Sequence, residues 1–321
     1  ASTLQTRLAV WEPQFMFKAN AYCNQLGVDV DLAGGAIGWA MECFQRGILT
    51  RKDTDGLLLN WGDVGVILEL IRKLSYREGF GNILAEGCAR ASDILGRGSE
   101  YYAINVKKQD LYENLRGSIG WALGTTVSTR GGGHTTGAPV METTGGLDPV
   151  NASKLFGISP EDIDPLRYEG KAKMVFYTEL LHRIANCFGI CHYNTNWLNL
   201  DFMNISEMAD LYSVATGLEK SENDLKKIAE KLLNLEKAFN LRHTAFNRKD
   251  DLPPPRELYE AIPTGNLAGW KFDENEYNKM LDEYYEIHGW NKKSGYPKRE
   301  KLEELELTNV ADELDKIGKL G

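Results

Sequence analysis

A mostly helical fold of two domains is expected from three features of the sequence. Apolar residues recur at helical spacing along most of its length, β-prone runs are scarce, and 321 residues exceed what one compact core usually holds. Helix-start residues and helix-ending glycines punctuate the apolar stripes.

Ala36, Ile37, Ala40, Met41 and Phe44 form one face of a first helix, and Gly47 is its stop. Asp63 is placed to cap a second, with the stripe Ile67, Leu70, Ile71 and Leu74 and the stop Gly79-Phe80-Gly81. Asn82 opens a third, short helix through Leu84, Ala91 and Leu95. Residues 101–106 (YYAINV) are the best strand candidate, and the domain boundary is placed there, giving domains 1–105 and 106–321. A glycine-rich tract follows over 117–146, holding RGSIGWALGTT, TRGGGHTTGAP and TTGGLDP, where glycines permit tight turns and close backbone approach. Helices resume at 171–186, 206–215 and 221–240. Ser221-x-x-Asp224 and Asp273-x-x-Glu276 resemble helix-start boxes, and the Lys/Glu-rich face over 219–237 reads as solvated surface. Pro253-Pro254-Pro255 punctuates a loop. No repeat of a solenoid's period is present.

Composition narrows the function classes. Hydrophobic residues at 42% and charged residues at 26% suit a folded globular protein. A net charge of −9 without a basic stripe gives nucleic acid little electrostatic purchase. No apolar run is long enough to span a bilayer, no signal-peptide pattern opens the chain, and five scattered cysteines do not form a disulfide framework. A reducing, cytoplasmic setting is expected. The absence of an initiating Met suggests a trimmed, processed or partial chain.

Two segments share one grammar. Asn24-Gln25-Leu26-Gly27-Val28-Asp29 and Asn186-Cys187-Phe188-Gly189-Ile190-Cys191 both read N-x-x-G-aliphatic-(D/C). Spacing alone leaves two readings open: helix ends closed by glycine with an aliphatic contact beyond, or exposed amides and asparagine side chains offered to a ligand's hydrogen-bonding edge. His134 lies between three glycines and two threonines, off any regular apolar face, and histidine suits proton transfer near neutrality. Turn structure is the other reading for it. His182, His192, His243 and His288 lack such surroundings, although His192 directly follows Cys191.

The two hexapeptides resemble the paired D-x-x-G-L-(D/C) pterin motifs of the aldehyde:ferredoxin oxidoreductase family. The stretches NAYCNQLGVDVDLAGGAIGWAMECFQRGIL, EGFGNILAEGCARAS, FNLRHTAFNRKDDLPPPR and MLDEYYEIHGWNKKSGYPKREKLEELEL resemble that family in collinear order. The resemblance implies two helical domains like the C-terminal domains of tungsten-pterin enzymes, a tungsten (or molybdenum) bis-pterin and a [4Fe-4S] cluster. It places Asn24, Gly27 and Asp29 at the first pterin motif, Asn186 and Gly189 at the second, and Cys191 at one cluster ligand. It makes His134 the catalytic histidine and Cys23, next to the first motif, a possible tungsten ligand. Asn24 and Asn186 stand where the family has Asp, so they offer an amide in place of a charge. The family's C-x-x-C-x-x-x-C triplet and N-terminal β domain are not in this sequence. A fragment, a processed piece or one subunit of a split enzyme is therefore expected.

The resemblance further implies electron exchange with ferredoxin or an iron-sulfur subunit, and an oligomer. KKQDLYENLRGSIGWALGTTVSTRGGGHTTGAP is closer to the branch of the tungsten subunit of class II benzoyl-CoA reductase, so reduction of an aromatic acyl-CoA is expected. Oxidation of aldehydes to carboxylates is the alternative within the family, and a non-catalytic helical scaffold the alternative outside it.

Overall fold

The computed structural model describes residues 2–111, 113–143 and 147–321, so residues 144–146 at the end of the glycine-rich tract lie outside the described residues. The helices are α1 Ser2–Thr6, α2 Pro13–Leu26, α3 Val30–Gln45, α4 Val64–Tyr76, α5 Phe80–Leu84, α6 Gly87–Leu95, α7 Ile119–Thr126 and α8 Val140–Thr143. They continue with α9 Pro149–Phe156, α10 Lys171–Phe188, α11 Ile205–Thr216, α12 Glu222–His243, α13 Pro255–Tyr259, α14 Glu274–Ile287, α15 Arg299–Glu304 and α16 Thr308–Lys316. Among the described residues the only sheet is a hairpin, β1 Asn105–Val106 against β2 Gln109–Asp110, with Val106 opposite Gln109. The mostly helical expectation holds. No helix among the described residues is long and apolar enough to cross a membrane.

Contacts divide the chain into two compact units, one up to Asn114 with Pro254–Arg256, the other Leu115–Pro253 with Glu257–Gly321. The first unit runs past the boundary expected at 105 because the hairpin is tied back into it. Asp110, 5% exposed, accepts the Cys88 and Ala89 backbone amides and so caps α6. That cap also explains why the expected third helix is divided in two. It begins at Phe80, whose amide donates to the Asp55 carboxylate at 2.8 Å, instead of Asn82, and it breaks at Ala85–Glu86, after which Gly87 takes φ 78° against the Asp110 carboxylate and α6 starts afresh. Of the strand expected over 101–106 only Asn105–Val106 forms, since Ser99–Tyr102 turns as a 3-10 helix. The core of this unit sets Ile37, Met41 and Cys43 of α3 against Ile67, Leu70 and Ile71 of α4 and Ala19 and Cys23 of α2.

The second unit is built on α10, whose residues Met174, Tyr177, Leu181 and Ile184 meet Met208 of α11 and Leu225 and Ala229 of α12. A smaller cluster joins Ala238 and Leu241 of α12 to Leu302, Leu305, Ala311 and Leu314. The helices expected at 171–186, 206–215 and 221–240 are present with slightly longer ends. Ser221 and Asp224 form the expected reciprocal start box, while Asp273 caps α14 by accepting from Asn275 and Glu276. Polar groups also enter this core. Lys171 and Glu142, both without exposure, pair at 2.7 Å, and the Lys171 ammonium donates to the Asp162 and Asp164 carbonyls at 2.8 Å each. Glu179 accepts from the Tyr284 hydroxyl at 2.9 Å and lies 3.0 Å from His288 Nε2.

Candidate functional site

Both hexapeptides fold as one device. In the first unit α2 ends on Gly27 at φ 68°, and the Val28 amide closes back on the Cys23 carbonyl at 2.9 Å. In the second unit α10 ends on Gly189 at φ 68°, and the Ile190 amide closes on the Ala185 carbonyl at 2.9 Å. A left-handed residue followed by this long reverse bond is the glycine C-cap that the spacing admits. The sixth residue then starts the next element. Asp29 Oδ1 accepts from the Asp31 and Leu32 amides at 2.9 Å each and caps α3, while Cys191 stands at the head of the 3-10 turn His192–Asn194. Asn24, Gly27, Asp29, Asn186, Gly189 and Cys191 are all exposed. The helix-cap and ligand-edge readings are thus compatible: the cap sets the backbone and leaves the polar groups facing outward.

A cavity of about 300 Å³ opens beside Asp29 in the first unit, with Arg90, Lys108 and Asp110 among its walls. Its charged lining and the neighbouring glycine turn fit the polar edge of a heterocycle. Cys23 is placed differently. It has no exposure, sits in the core, and its thiol is pushed up first by burial and then by Asp29. A metal ligand needs the thiolate, and this site disfavours it, so the tungsten-ligand role expected of Cys23 has no support in its placement. Cys191 fits better, as an exposed thiol suited to one corner of a cluster. A [4Fe-4S] cluster requires three further ligands, and the described residues contain no group of three or more His, Cys, Asp or Glu able to hold a metal.

In the second unit the glycine-rich tract forms a clamped turn around His134. The imidazole lies roughly parallel to two indoles, Trp121 of α7 with ring centroids 5.0 Å apart at 23° and Trp197 at 6.1 Å and 3°. The turn is fastened from several sides. Arg183 Nη1 donates to the Thr136 carbonyl at 3.0 Å, Thr178 Oγ1 to the Gly137 carbonyl, and Trp197 Nε1 to the Ala138 carbonyl at 2.7 Å. Asn240 Nδ2 donates to the Thr129 carbonyl at 2.5 Å. Two glycines answer to this packing. A Cβ at Gly137 would lie 2.2 Å from Glu179 Cγ, and one at Gly124 would lie 2.4 Å from Ala138 Cα.

Three aromatic groups that spacing does not single out complete the arrangement. His182 is fully buried on α10, its ring 5.2 Å from Trp197 and 4.1 Å from His192. The Thr135 backbone is the one hydrogen-bonding group that acts on its ring, and Nδ1 of His192 has no hydrogen-bond partner among the described residues. Burial holds His182 well below the ordinary histidine range, helped by the neighbouring His192, and burial lowers His192 as well. Both rings are therefore neutral at pH 7. The residues gathered around Trp197 can offer neutral imidazole nitrogens and one stacked imidazole on a rigid turn, which is a setting for proton transfer in a water-poor site. The signal for His182 was available in part, since it occupies a core position of the α10 stripe where an apolar residue would be expected.

The family description "Aldehyde ferredoxin oxidoreductase, domains 2 & 3" matches residues 1–307, and the chain belongs to the aldehyde ferredoxin oxidoreductase family. It is 32% identical over 308 residues to the tungsten-containing aldehyde ferredoxin oxidoreductase of Pyrococcus horikoshii, covering 95% of this chain and 47% of that protein. Against the Pyrococcus furiosus protein of the same description the identity is 31% over 304 residues, 94% of this chain and 47% of the relative. The aliphatic sulfonate oxidoreductase, WOR-like subunit, of Pyrococcus furiosus is 29% identical over 326 aligned positions, 98% of this chain and 46% of its own. Among solved structures, the active-site complex BamBC of benzoyl coenzyme A reductase with 1,5-dienoyl-CoA shares the fold. Its TM-score is 0.77 at 24% identity, over 96% of this chain and 48% of that one. The chain spans about half the length of the curated relatives it matches.

Proposed function

We propose that this chain forms the helical part of the catalytic subunit of a tungsten-bispterin, [4Fe-4S] oxidoreductase, with His134 as its proton-transfer group and an aromatic acyl-CoA as the substrate reduced. The observation that carries the reading is the His134 imidazole, lying against the rings of Trp121 and Trp197 on a turn fastened by Arg183, Thr178 and Asn240. A proton donor must be held at a fixed place and angle, and rigid indole faces with a clamped backbone supply both.

When bound, the tungsten-pterin group supplies the two-electron redox chemistry. The chain's own residues take the other tasks. Gly27 and Gly189 hold turns beside which Asn24, Asp29 and Asn186 present polar groups to a pterin edge, and Cys191 offers a thiolate to one iron. Trp121, Trp197 and the neutral His182 exclude water around His134, which keeps proton delivery with the imidazole. The electron partner is ferredoxin or an iron-sulfur subunit, and the setting a reducing cytoplasm. A second reading, oxidation of aldehydes to carboxylates, is favoured by the identity of 31–32% to aldehyde ferredoxin oxidoreductases.

The test is His134→Ala in the native full-length protein, purified without oxygen. Benzoyl-CoA with a low-potential donor and an aldehyde with an electron acceptor are assayed side by side. Turnover should fall by about 10²-fold or more, the usual contribution of a positioned acid or base, while tungsten content stays constant. Loss of tungsten together with turnover would assign His134 to structure, and turnover of the aldehyde alone would move the substrate to the second reading.

A further inference from the structure

The second unit carries a groove of about 780 Å³ between α12 and α16, whose apolar floor takes no part in the chemistry above. Its floor is apolar: Leu235, Ala238 and Phe239 come from α12, Val310 and Leu314 from α16, and Ile317 follows. Phe239 is 64% exposed and Ile317 46%, so part of this surface meets water with nothing folded over it among the described residues.

The charged groups at the rim do not balance. Glu236 is taken by Arg183 at 2.7 Å and Glu313 by Lys316 at 2.7 Å. Arg130 makes a 3.4 Å bond to the Thr135 hydroxyl, and Arg242 lies near enough to Glu313 to help hold that carboxyl low, although Glu313 is bonded to Lys316. His243 sits beside them, its ring 4.5 Å from that of Phe239. Two guanidinium groups, Arg130 and Arg242, thus line an apolar trough whose two carboxylates already bond Arg183 and Lys316. We propose that the α12–α16 groove is a binding site for an anionic amphiphile, a small molecule with an apolar chain or ring and a phosphate or carboxylate head.

Three features favour such an occupant. The volume lies within the range of small-ligand sites, roughly 300–1,000 Å³. The apolar floor gains by covering Phe239 and Ile317, and the guanidinium groups of Arg130 and Arg242 select a negative head and offer it forked hydrogen bonds. The place matters too, because Thr129, Arg130 and Thr136 of the His134 turn form one wall, so a ligand here abuts the segment that carries the imidazole. The site does not depend on the reaction proposed above.

The experiment is calorimetric titration of the native full-length protein with decanoate, decanoyl-CoA and CoA alone. Arg242→Gln and Phe239→Ser are titrated in parallel, with Arg130→Gln held in reserve should either fail to fold by circular dichroism. Saturable binding of a decanoyl ligand is expected, weakened roughly tenfold by each substitution, with CoA alone at least about tenfold weaker than its decanoyl ester. Decanoyl-CoA binding more tightly than decanoate would identify a nucleotide-bearing thioester as the natural head, and equal binding a simple carboxylate. No saturable binding of either decanoyl ligand, binding that the variants leave unchanged, or CoA alone binding as tightly as its ester would overturn the assignment.

Discussion

Gly124→Ala sets two effects of opposite sign against each other. Gly124 lies inside α7, where alanine is the better helix former by about 1 kcal/mol, so helix propensity alone makes the variant more stable. Packing argues the other way. The added Cβ would lie 2.4 Å from Ala138 Cα, 2.7 Å from Ala138 N and 2.9 Å from the Gly137 carbonyl oxygen, all of them backbone atoms. That backbone cannot yield cheaply, since Thr178 and Trp197 hold the two carbonyls and Gly137 already rests on Glu179. Overpacking of this kind costs about 1–3 kcal/mol, with the upper end apt for backbone contacts, which leaves a net loss on the order of 2 kcal/mol. In a unit of about 200 residues that is a fall in Tm of roughly 4–8 °C. Gly35→Ala is the matched control, because its Cβ would meet only the Arg7 guanidinium at 3.5 Å and should raise stability by up to about 1 kcal/mol. Urea unfolding followed by circular dichroism and by tryptophan fluorescence measures both. A Gly124→Ala protein as stable as the parent would refute the close packing of α7 on the His134 turn.

Further outcomes concern the buried polar groups. Lys171→Met should cost about 3–5 kcal/mol, because it strands the Glu142 carboxylate with only the Ser118 hydroxyl and Trp121 amide as donors; an effect under about 1 kcal/mol in urea unfolding would show the pair to be dispensable. His182, held well below its ordinary range in the folded protein, takes up a proton near pH 6.5 only when unfolded, so stability should fall as the pH drops below about 6.5. The slope from this group approaches about 1.4 kcal/mol per pH unit. His182→Phe should flatten that slope between pH 6.5 and 5, and an unchanged slope would assign the acid sensitivity elsewhere.

Much of the fold was legible because helical stripes and their caps are local signals. Ser221 with Asp224 and Asp63 before α4 do what their positions imply, and α10 follows its stripe to the glycine that ends it. Misreadings arose where a distant residue decided a local question. The carboxylate of Asp110, more than twenty positions away, fixed where α6 begins, and no periodicity near Asn82 reports it. At the site, the hexapeptide grammar was readable as a cap, and its glycines take the left-handed angles that the spacing requires. The glycines of the tract were readable as close approach, but not as approach to Glu179 and Ala138. His182 and Trp197 escaped notice because each resembles an ordinary core residue until the third dimension sets them around His134. Cys23 misled in the opposite way, since adjacency to a motif in sequence put it inside the core and not at the surface.

Metal analysis of the native full-length protein, purified anaerobically and paired with an intact mass, tests the tungsten-cluster reading most directly. About one tungsten and four irons per chain are expected, with iron lost in Cys191→Ala. Metal-free protein from the same preparation would contradict the catalytic role proposed for this helical half.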